Sequence, residues 1–301
     1  YEIWPYPVAA AAVQQIMLFI YMYAQSDCTA PKVVVNYLGL VNAGGIALSN
    51  MTLRLCTFGV YELVTAFRIP TLLIVQRLQF RVSEPARPTA FAVATAAFVA
   101  IGTIGSTMKF NVIGVLVGIT GALCTSASKA AIKGCTMAYD VTTDSLLRAQ
   151  MPCTIAILCV YSLVIEKPTR PPSAVFAYIL SIGVAAICLN ISAFRLCGYS
   201  PMYYQQLAPF KTALIVALTN SWGDAARAVS IVGTTACAAM YIYTRDRNCW
   251  NNAPTRSLEY LKVFSTRLAL CIGFVVFAVT YVVDTEPVSY THLRAHETPL
   301  H

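Results

Sequence analysis

Long apolar stretches, separated by short polar breaks, run through most of the chain. A helix that crosses the hydrocarbon core of a bilayer needs about 20 predominantly apolar residues. The breaks contain proline, glycine and charged residues, as in SDCTAPK, RVSEPARP and EKPTRPP, and such residues end helices. The pattern predicts an all-α polytopic membrane protein with ten spans, at residues 6–24, 33–53, 57–80, 89–106, 110–132, 144–165, 173–196, 200–222, 225–244 and 267–283.

The composition also indicates a membrane protein. Of the 301 residues, 57% are hydrophobic and 11% are charged, and the mean hydropathy is +0.64. A soluble domain carries roughly 25% charged residues. One water-soluble core cannot bury so much apolar surface, so we expect the lipid bilayer to be the solvent. Gly114 and Gly118 form a GxxxG pattern, which is typical of close packing between membrane helices.

The net charge of +8 does not indicate nucleic-acid binding, because the cations form no stripe with interleaved aromatic residues. Most of them lie in the short gaps between spans, where they set the topology. If residues 1–5 face away from the cytosol, eight cations lie on the cytosolic side and four on the other, as the positive-inside rule requires. The eight are Lys32, Arg81, Arg87, Lys133, Arg245, Arg247, Arg256 and Lys262.

Neither cysteine nor histidine indicates a metal site, a cofactor or an enzyme. The 11 cysteines contain no CxxC and mostly lie inside apolar stretches, as packing residues do. All three histidines lie in residues 288–301, VSYTHLRAHETPLH, which resemble a translated sequencing-library adapter. Without this tail no histidine remains for acid–base or metal chemistry. We therefore expect a protein that is not an enzyme.

The expected organisation places a transporter-like core before a separate C-terminal part. Residues 1–244 form a core of nine spans, residues 245–266 a basic cytosolic loop, and residues 267–284 an extra span of unknown role. The adapter-like tail follows. The chain begins without methionine, and we expect one further helix before the first residue.

An internal repeat relates the two halves of the core. NMTLR, which ends the second span, resembles NISAFR, which ends the seventh. Copies that lie five spans apart have opposite orientations in the membrane. The pattern therefore predicts an inverted repeat of five-helix halves in which the first helix is missing. Three residues of the third span recur 143 positions later: Tyr61 as Tyr204, Phe67 as Phe210 and Arg68 as Lys211.

Two of these repeated residues are cations near the middle of predicted spans, Arg68 and Lys211. A cation at the bilayer centre costs at least ~2.5–3.5 kcal/mol, so it needs an anion or a water-filled cavity. Tyr61 and Tyr204 lie seven residues before the cations and on the same helix face. Two cations that converge from inverted halves suit an anionic solute with phosphate groups. The alternative is an internal ion pair between Arg68 and Glu62.

Other polar residues in the spans have several interpretations. Lys129 and Lys133 form an i, i+4 pair near the end of the fifth span. Lys129 is a candidate for the cavity, whereas Lys133 could equally anchor the helix at the cytosolic surface. Arg148 is interpreted as an interfacial anchor. Asn50 and Asn190 are expected to form hydrogen bonds between helices.

Three stretches carry recognisable family patterns: LSNMTLRLCTFGVYELVTAFRIPTLLIVQRLQF, FNVIGVLVGITGALCTSASKAA and LNISAFRLCGYSPMYYQQLAPFKTALIVAL. The third contains Asn-x-Ser-x-Phe, Ser-Pro-x-x-Tyr-Gln and the Lys211-Thr212 pair. Together they resemble the nucleotide-sugar/triose-phosphate translocator family of the drug/metabolite transporter superfamily, and the likeness covers residues 1–244 in patches. Thr65, Pro209 and Glu62 depart from the residues common in the family.

The resemblance implies an antiporter that exchanges a nucleotide sugar, closest to a UDP-sugar, for a nucleoside monophosphate across a Golgi or ER membrane without a cofactor. A plastid-envelope sugar-phosphate/phosphate exchanger and a non-transporting structural membrane protein are the alternatives. The expected partners are a small anionic solute and the lipid bilayer, and a homodimer is compatible with the sequence. The candidate substrate-binding residues are Tyr61, Arg68, Lys129, Tyr204, Gln205, Lys211 and Thr212.

Overall fold

In a computed structural model of the chain, every regular element of the described residues is helical. The structure describes residues 6–24, 32–103, 111–169, 171–202, 204–206 and 225–244. Its elements are α1 (Pro7–Tyr23), α2 (Lys32–Leu55), α3 (Phe58–Ala66), α4 (Arg68–Phe80), α5 (Ala86–Thr103), α6 (Val112–Tyr139), α7 (Thr143–Tyr161) with a π-helical end at Ser162–Glu166, α8 (Ser173–Tyr199) and α9 (Ala225–Thr244).

Three stretches of helix are long and apolar enough to cross a membrane: Val112–Tyr139, Thr143–Glu166 and Val175–Tyr199. Shorter apolar helices run over Pro7–Tyr23, Ala86–Gly102 and Val229–Thr244. The prediction of an α-helical chain with membrane-length apolar helices is therefore confirmed.

Four predicted segments fall largely or wholly outside the described residues. They are most of the span at 200–222, the basic loop at 245–266, the extra span at 267–283 and the tail at 288–301. These segments stay predictions.

The predicted span at 57–80 is interrupted at Phe67, where α3 ends and α4 begins while the backbone stays in the α-helical region. Pro70 accounts for this kink. Proline has no N–H to donate to the carbonyl of Ala66, and its ring clashes with that carbonyl, so the regular helical hydrogen bonds are interrupted here. In the first turn of α4 the same proline is tolerated, since an N–H there needs no helical partner. The break places Arg68 at the first residue of α4.

Helix α6 packs along α2 through its glycines. A Cβ atom built on Gly118 would lie 2.6 Å from Val64 Cγ1 and 2.9 Å from Thr52 Cγ2. Three residues further on, Gly121 faces Leu48. Residues later in α6 contact residues earlier in α2, so the two helices are antiparallel. The interpretation of the glycines as close-packing residues agrees with this arrangement.

Helix α7 is tied to a neighbouring helix at each end. The Glu166 carboxylate accepts hydrogen bonds from the backbone N–H groups of Val8 and Ala9, at 3.0 and 2.8 Å. At the other end, Arg195 of α8 donates to both carboxylate oxygens of Asp144, with Nη2 2.7 Å from Oδ2. A carboxylate at a helix N-terminus satisfies free N–H groups and complements the helix dipole. These contacts orient α1 and α8 against α7.

Helices α5 and α9 form a second close pair. Gly102 of α5 lies against Ser230, and Gly233 of α9 lies against the ring of Phe98. The order of these contacts shows that α5 and α9 are antiparallel. Each helix contributes a glycine that receives a side chain of the other, so their backbones approach closely.

Among the described residues, the side-chain amides of the two repeated asparagines donate within their own helices, and the expected hydrogen bonds between helices stay a prediction. Asn50 Nδ2 donates to the carbonyl of Ile46 at 2.9 Å, and Asn190 Nδ2 donates to that of Ala186 at 2.8 Å. Both bonds run four residues back along the same helix. A short polar side chain in an apolar helix can satisfy its donor in this way without a partner helix.

Gly118→Val is expected to destabilise the protein by about 1–3 kcal/mol, the usual cost of inserting methyl groups into a close-packed interior. A lower melting temperature in detergent would show this. Ala156→Val, on an exposed face of α7, adds the same kind of side chain where space is open and is expected to change the melting temperature little. Equal shifts for the two variants would contradict the close packing of α2 and α6.

Candidate anion-binding site

The Lys129 side chain lies inside the helix bundle with only 7% of its surface exposed. It belongs to α6, and its Nζ atom sits 5.0 Å from the ring centroid of Phe194 and 4.8 Å from that of Tyr204. Phe194 comes from α8, and Tyr204 follows that helix directly. Two aromatic rings from one segment of chain therefore flank a single ammonium group.

These rings hold the charge of Lys129 without neutralising it. Each cation–π contact contributes about 0.5–2 kcal/mol, and burying a cation at the bilayer centre costs ~2.5–3.5 kcal/mol or more. Two contacts therefore offset much of that cost. Lys129 forms no salt bridge with any described residue.

Arg68 supplies a second cation at the break between α3 and α4. Its Nη2 atom donates to Ser49 Oγ of α2 at 2.8 Å, and its backbone carbonyl accepts from Ser126 Oγ of α6 at 3.2 Å. The buried Nε atom has no hydrogen-bond partner among the described residues. The Arg68 side chain thus donates to a neutral hydroxyl.

The backbone of Arg68 meets α6 close to Lys129. Ser126, whose hydroxyl donates to the Arg68 carbonyl, and Lys129 are three residues apart on α6, a rise of about 4.5 Å. Helix α4 begins at Arg68, so the positive end of its dipole is at this level too. Lys129 and the N-terminus of α4 together place positive charge near the middle of the 28-residue α6.

The structure brings some of the predicted residues together and leaves others apart. Lys129 and Tyr204 are in direct contact, and Gln205 is buried beside Tyr204 with no partner for its Nε2 among the described residues. Tyr61 is half-buried on α3, on the opposite side of the helix break from Arg68. Two further predicted residues, Lys211 and Thr212, lie outside the described residues.

Arg148 has a more specific contact than the predicted surface anchor. Its guanidinium carbon lies 4.6 Å from the ring centroid of Tyr23, at the end of α1. This contact joins α7 to α1 and does not reach the region around Lys129.

Sequence reasoning missed Phe194, Ser49 and Ser126. Phe194 belongs to the repeated NISAFR motif, so a signal was present, although nothing local identifies the partner of its ring. Ser126 precedes Lys129 by three residues and therefore lies near the same face of α6. This helical spacing could have identified it. Ser49 contacts Arg68 only through the tertiary fold.

Comparison with models of known protein families gives no match.

A double-mutant cycle tests the contact between Lys129 and Phe194. We expect Lys129→Met and Phe194→Leu to show a coupling of about 0.5–2 kcal/mol in unfolding experiments in detergent, because each change removes the same cation–π contact. Arg77→Met, at an exposed cation of α4, is the control and should be additive with Phe194→Leu. Additive effects for Lys129 as well would show that the ring does not hold the ammonium.

Proposed function

We propose that the protein is a secondary transporter for a small anionic solute. The observation that carries the proposal is the buried ammonium of Lys129, which two aromatic rings hold and no described carboxylate neutralises. A protein with a purely structural role gains little from an unpaired cation inside an apolar bundle. A transporter gains an attractive site for an anion at mid-membrane.

The chemistry of the site favours a phosphate-bearing solute. Lysine binds phosphate as a point charge, and the arginine fork matches two phosphate oxygens. Lys129 and Arg68 are one cation of each kind. Together with the family resemblance, this supports antiport of a nucleotide sugar, closest to a UDP-sugar, for a nucleoside monophosphate across a Golgi or ER membrane. The chemistry also suits a sugar-phosphate/phosphate exchanger, which transport assays distinguish.

The packing supports an inverted repeat as the basis of alternating access. The repeat pairs α1 with α7, α2 with α8 and α5 with α9. A two-fold axis in the membrane plane requires paired helices to be antiparallel. Helix α1 is antiparallel to α7, since Val8 meets Glu166 and Tyr23 meets Arg148, and α5 is antiparallel to α9. The same axis exchanges the pair α2–α7 with the pair α8–α1, and both pairs are in contact.

Lys129→Met is expected to lower exchange by about 10- to 150-fold, because a hydrogen bond to a charged group contributes about 1.5–3 kcal/mol. The measurement is uptake of a labelled UDP-sugar into proteoliposomes preloaded with UMP, GMP or phosphate. Methionine retains contact with the aromatic rings, so the melting temperature should stay close to that of the unaltered protein.

Lys133→Met is the matched control for this experiment. Lys133 is a half-buried lysine one turn further along α6, and its replacement is expected to leave exchange nearly unchanged. Equal losses in the two variants would refute the assignment of Lys129 to the solute. Exchange that persists in Lys129→Met would do the same.

The sequence generates a parallel prediction for Lys211. Lys211→Ala should abolish exchange with folding intact, because removing an unpaired membrane cation relieves its desolvation. Lys211→Arg should recover little, since a planar fork does not replace a point charge. If Lys211 instead pairs with Glu62, the alanine variant should melt at a lower temperature and Glu62→Gln should rescue it. That rescue would overturn the assignment of Lys211 to the solute.

A further inference from the structure

Helix α8 is far more exposed than the other helices of membrane length. In its most apolar stretch of 18 residues, 12% are buried, against 56% for α6 and 39% for α7 with its π-helical end. The inner side of α8 packs against α1, α6 and α7. On the opposite side, Leu189 is 60% exposed, and Cys188 and Ser192 are exposed beside it. We call these three residues the outer face of α8.

The repeat relates the outer face of α8 to a face of α2. The asparagines that open NMTLR and NISAFR lie 140 positions apart, so residues near the first correspond to residues of α8 that lie 140 positions later. Packing gives the same offset, because Gly39 of α2 lies against Cys153 of α7, and Gly183 of α8 lies against Met17 of α1. Adding 140 to position 39 and subtracting 140 from position 153 gives 179 and 13, which differ by 166, as Gly183 and Met17 do.

The corresponding face of α2 is covered by α6. Leu48 and Ser49 lie against Gly121, and Thr52 lies against Gly118. These three residues stand 140 positions before the outer face of α8, and Leu48 and Thr52 are 0% and 1% exposed. One half therefore buries this face under an antiparallel helix, whereas the other half leaves it without any described helix. The repeat predicts a place beside α8 for an apolar helix that is antiparallel to it.

The span predicted after α9 has the orientation that this place requires. Helix α8 ends where α7 begins, because Arg195 pairs with Asp144. Helix α6 ends just before α7 begins, and Phe80 at the end of α4 packs on Gly134 near the end of α6. Helix α5 follows α4 and begins at this same end of the bundle, so α9, which is antiparallel to α5, ends there. A span after α9 thus starts at the membrane surface where α8 ends and runs antiparallel to α8.

We propose that residues 267–283 pack against the outer face of α8 and take the place of the helix missing from the first half; this inference rests on the inverted repeat of the proposed function. The segment has 17 residues, and Arg267 at its start is its only charged residue. Ala269 and Gly273 form a small-xxx-small pattern, which lets membrane helices approach closely. Residues 245–266 reach up to about 70 Å when extended, the width of several packed helices. The arrangement is a circular permutation of the repeat, with its first helix moved to the end of the chain.

A second copy of the chain suits the outer face less well. Copies in one membrane share one orientation, so α8 of a second copy would run parallel to this helix, whereas α6 covers α2 in the antiparallel direction. A helix that precedes α1 would have the required direction too, and cross-linking to residues 267–283 distinguishes the two.

Disulfide cross-linking of the full chain in proteoliposomes tests the proposal. Cys188 is a native cysteine on the outer face, eleven residues before the end of α8 at Tyr199. An antiparallel helix that begins at residue 267 reaches this depth near Ala278. With Cys271→Ser in place, cysteines are introduced one at a time at residues 274–281, and the protein is oxidised with iodine, which enters the bilayer. A specific protease site inserted after Pro254 then separates the core from the C-terminal fragment.

We expect the C-terminal fragment to stay joined to the core in variants whose cysteines lie three or four residues apart around Ala278. A disulfide needs Cα atoms about 4.4–6.8 Å apart, and one face of a helix recurs with that spacing. The measurement is a denaturing gel without reductant, on which the uncut protein should run as a monomer.

Cys188→Ser is the matched control and should abolish the attachment in every variant. A second control moves the reporter thiol to another helix. In the Cys188→Ser background, Ala97→Cys places an exposed cysteine eleven residues after the start of α5, at the same depth from this end of the bundle. It should give no attachment to residues 274–281. Melting temperatures close to that of the unaltered protein show that the variants fold.

Three results would overturn the inference while leaving the proposed function intact. The first is no attachment at any of the introduced cysteines, and the second is attachment that persists without Cys188. The third is a dimer joined through Cys188 in the uncut protein, which would assign the outer face to a second copy. If the fragment is attached as expected but the protein exchanges no anionic solute, the proposed function falls and the packing of residues 267–283 stands.

Discussion

A lysine buried in an apolar bundle is the constraint on which the site depends. The faces of Phe194 and Tyr204 flank the Lys129 side chain inside the bundle, and no described carboxylate pairs with it. Those rings must be brought to α6 by α8 and the segment that follows it. The contacts of α8 with α7, and of α7 with α1, thus serve to place two aromatic faces over one ammonium.

The interruption between α3 and α4 extends this positive region. Pro70 ends one helix and permits another to start, so that Arg68 stands at a helix N-terminus. Ser49 and Ser126 hold its side chain and backbone with neutral oxygens, which position the cation and leave its charge in place. The apolar helices outside this region supply the low-dielectric surroundings that strengthen attraction to an anion.

Much of the fold could be predicted from the sequence, because apolar length determines membrane helices almost independently of their neighbours. The break at Phe67 was missed since the apolar pattern continues through it, although Pro70 marks it locally. For the site, Lys129 could be predicted because a cation inside an apolar span is energetically costly. Tyr204 could be predicted because it belongs to a family motif. The ring of Phe194 and the hydroxyl of Ser49 could not, because they meet their cations only through tertiary packing. The bond of Asn50 to Ile46 could not be predicted, because asparagine forms hydrogen bonds both within a helix and between helices.

The capping of α1 has a consequence for biosynthesis. The carboxylate that accepts from Val8 and Ala9 belongs to Glu166, a residue made more than 150 positions later. While the chain emerges from the ribosome, the first turn of α1 must satisfy those N–H groups with water or lipid headgroups until α7 has been inserted. Helix α1 therefore reaches its final position only after α7 has been inserted, and the order of synthesis differs from the order in which the helices pack.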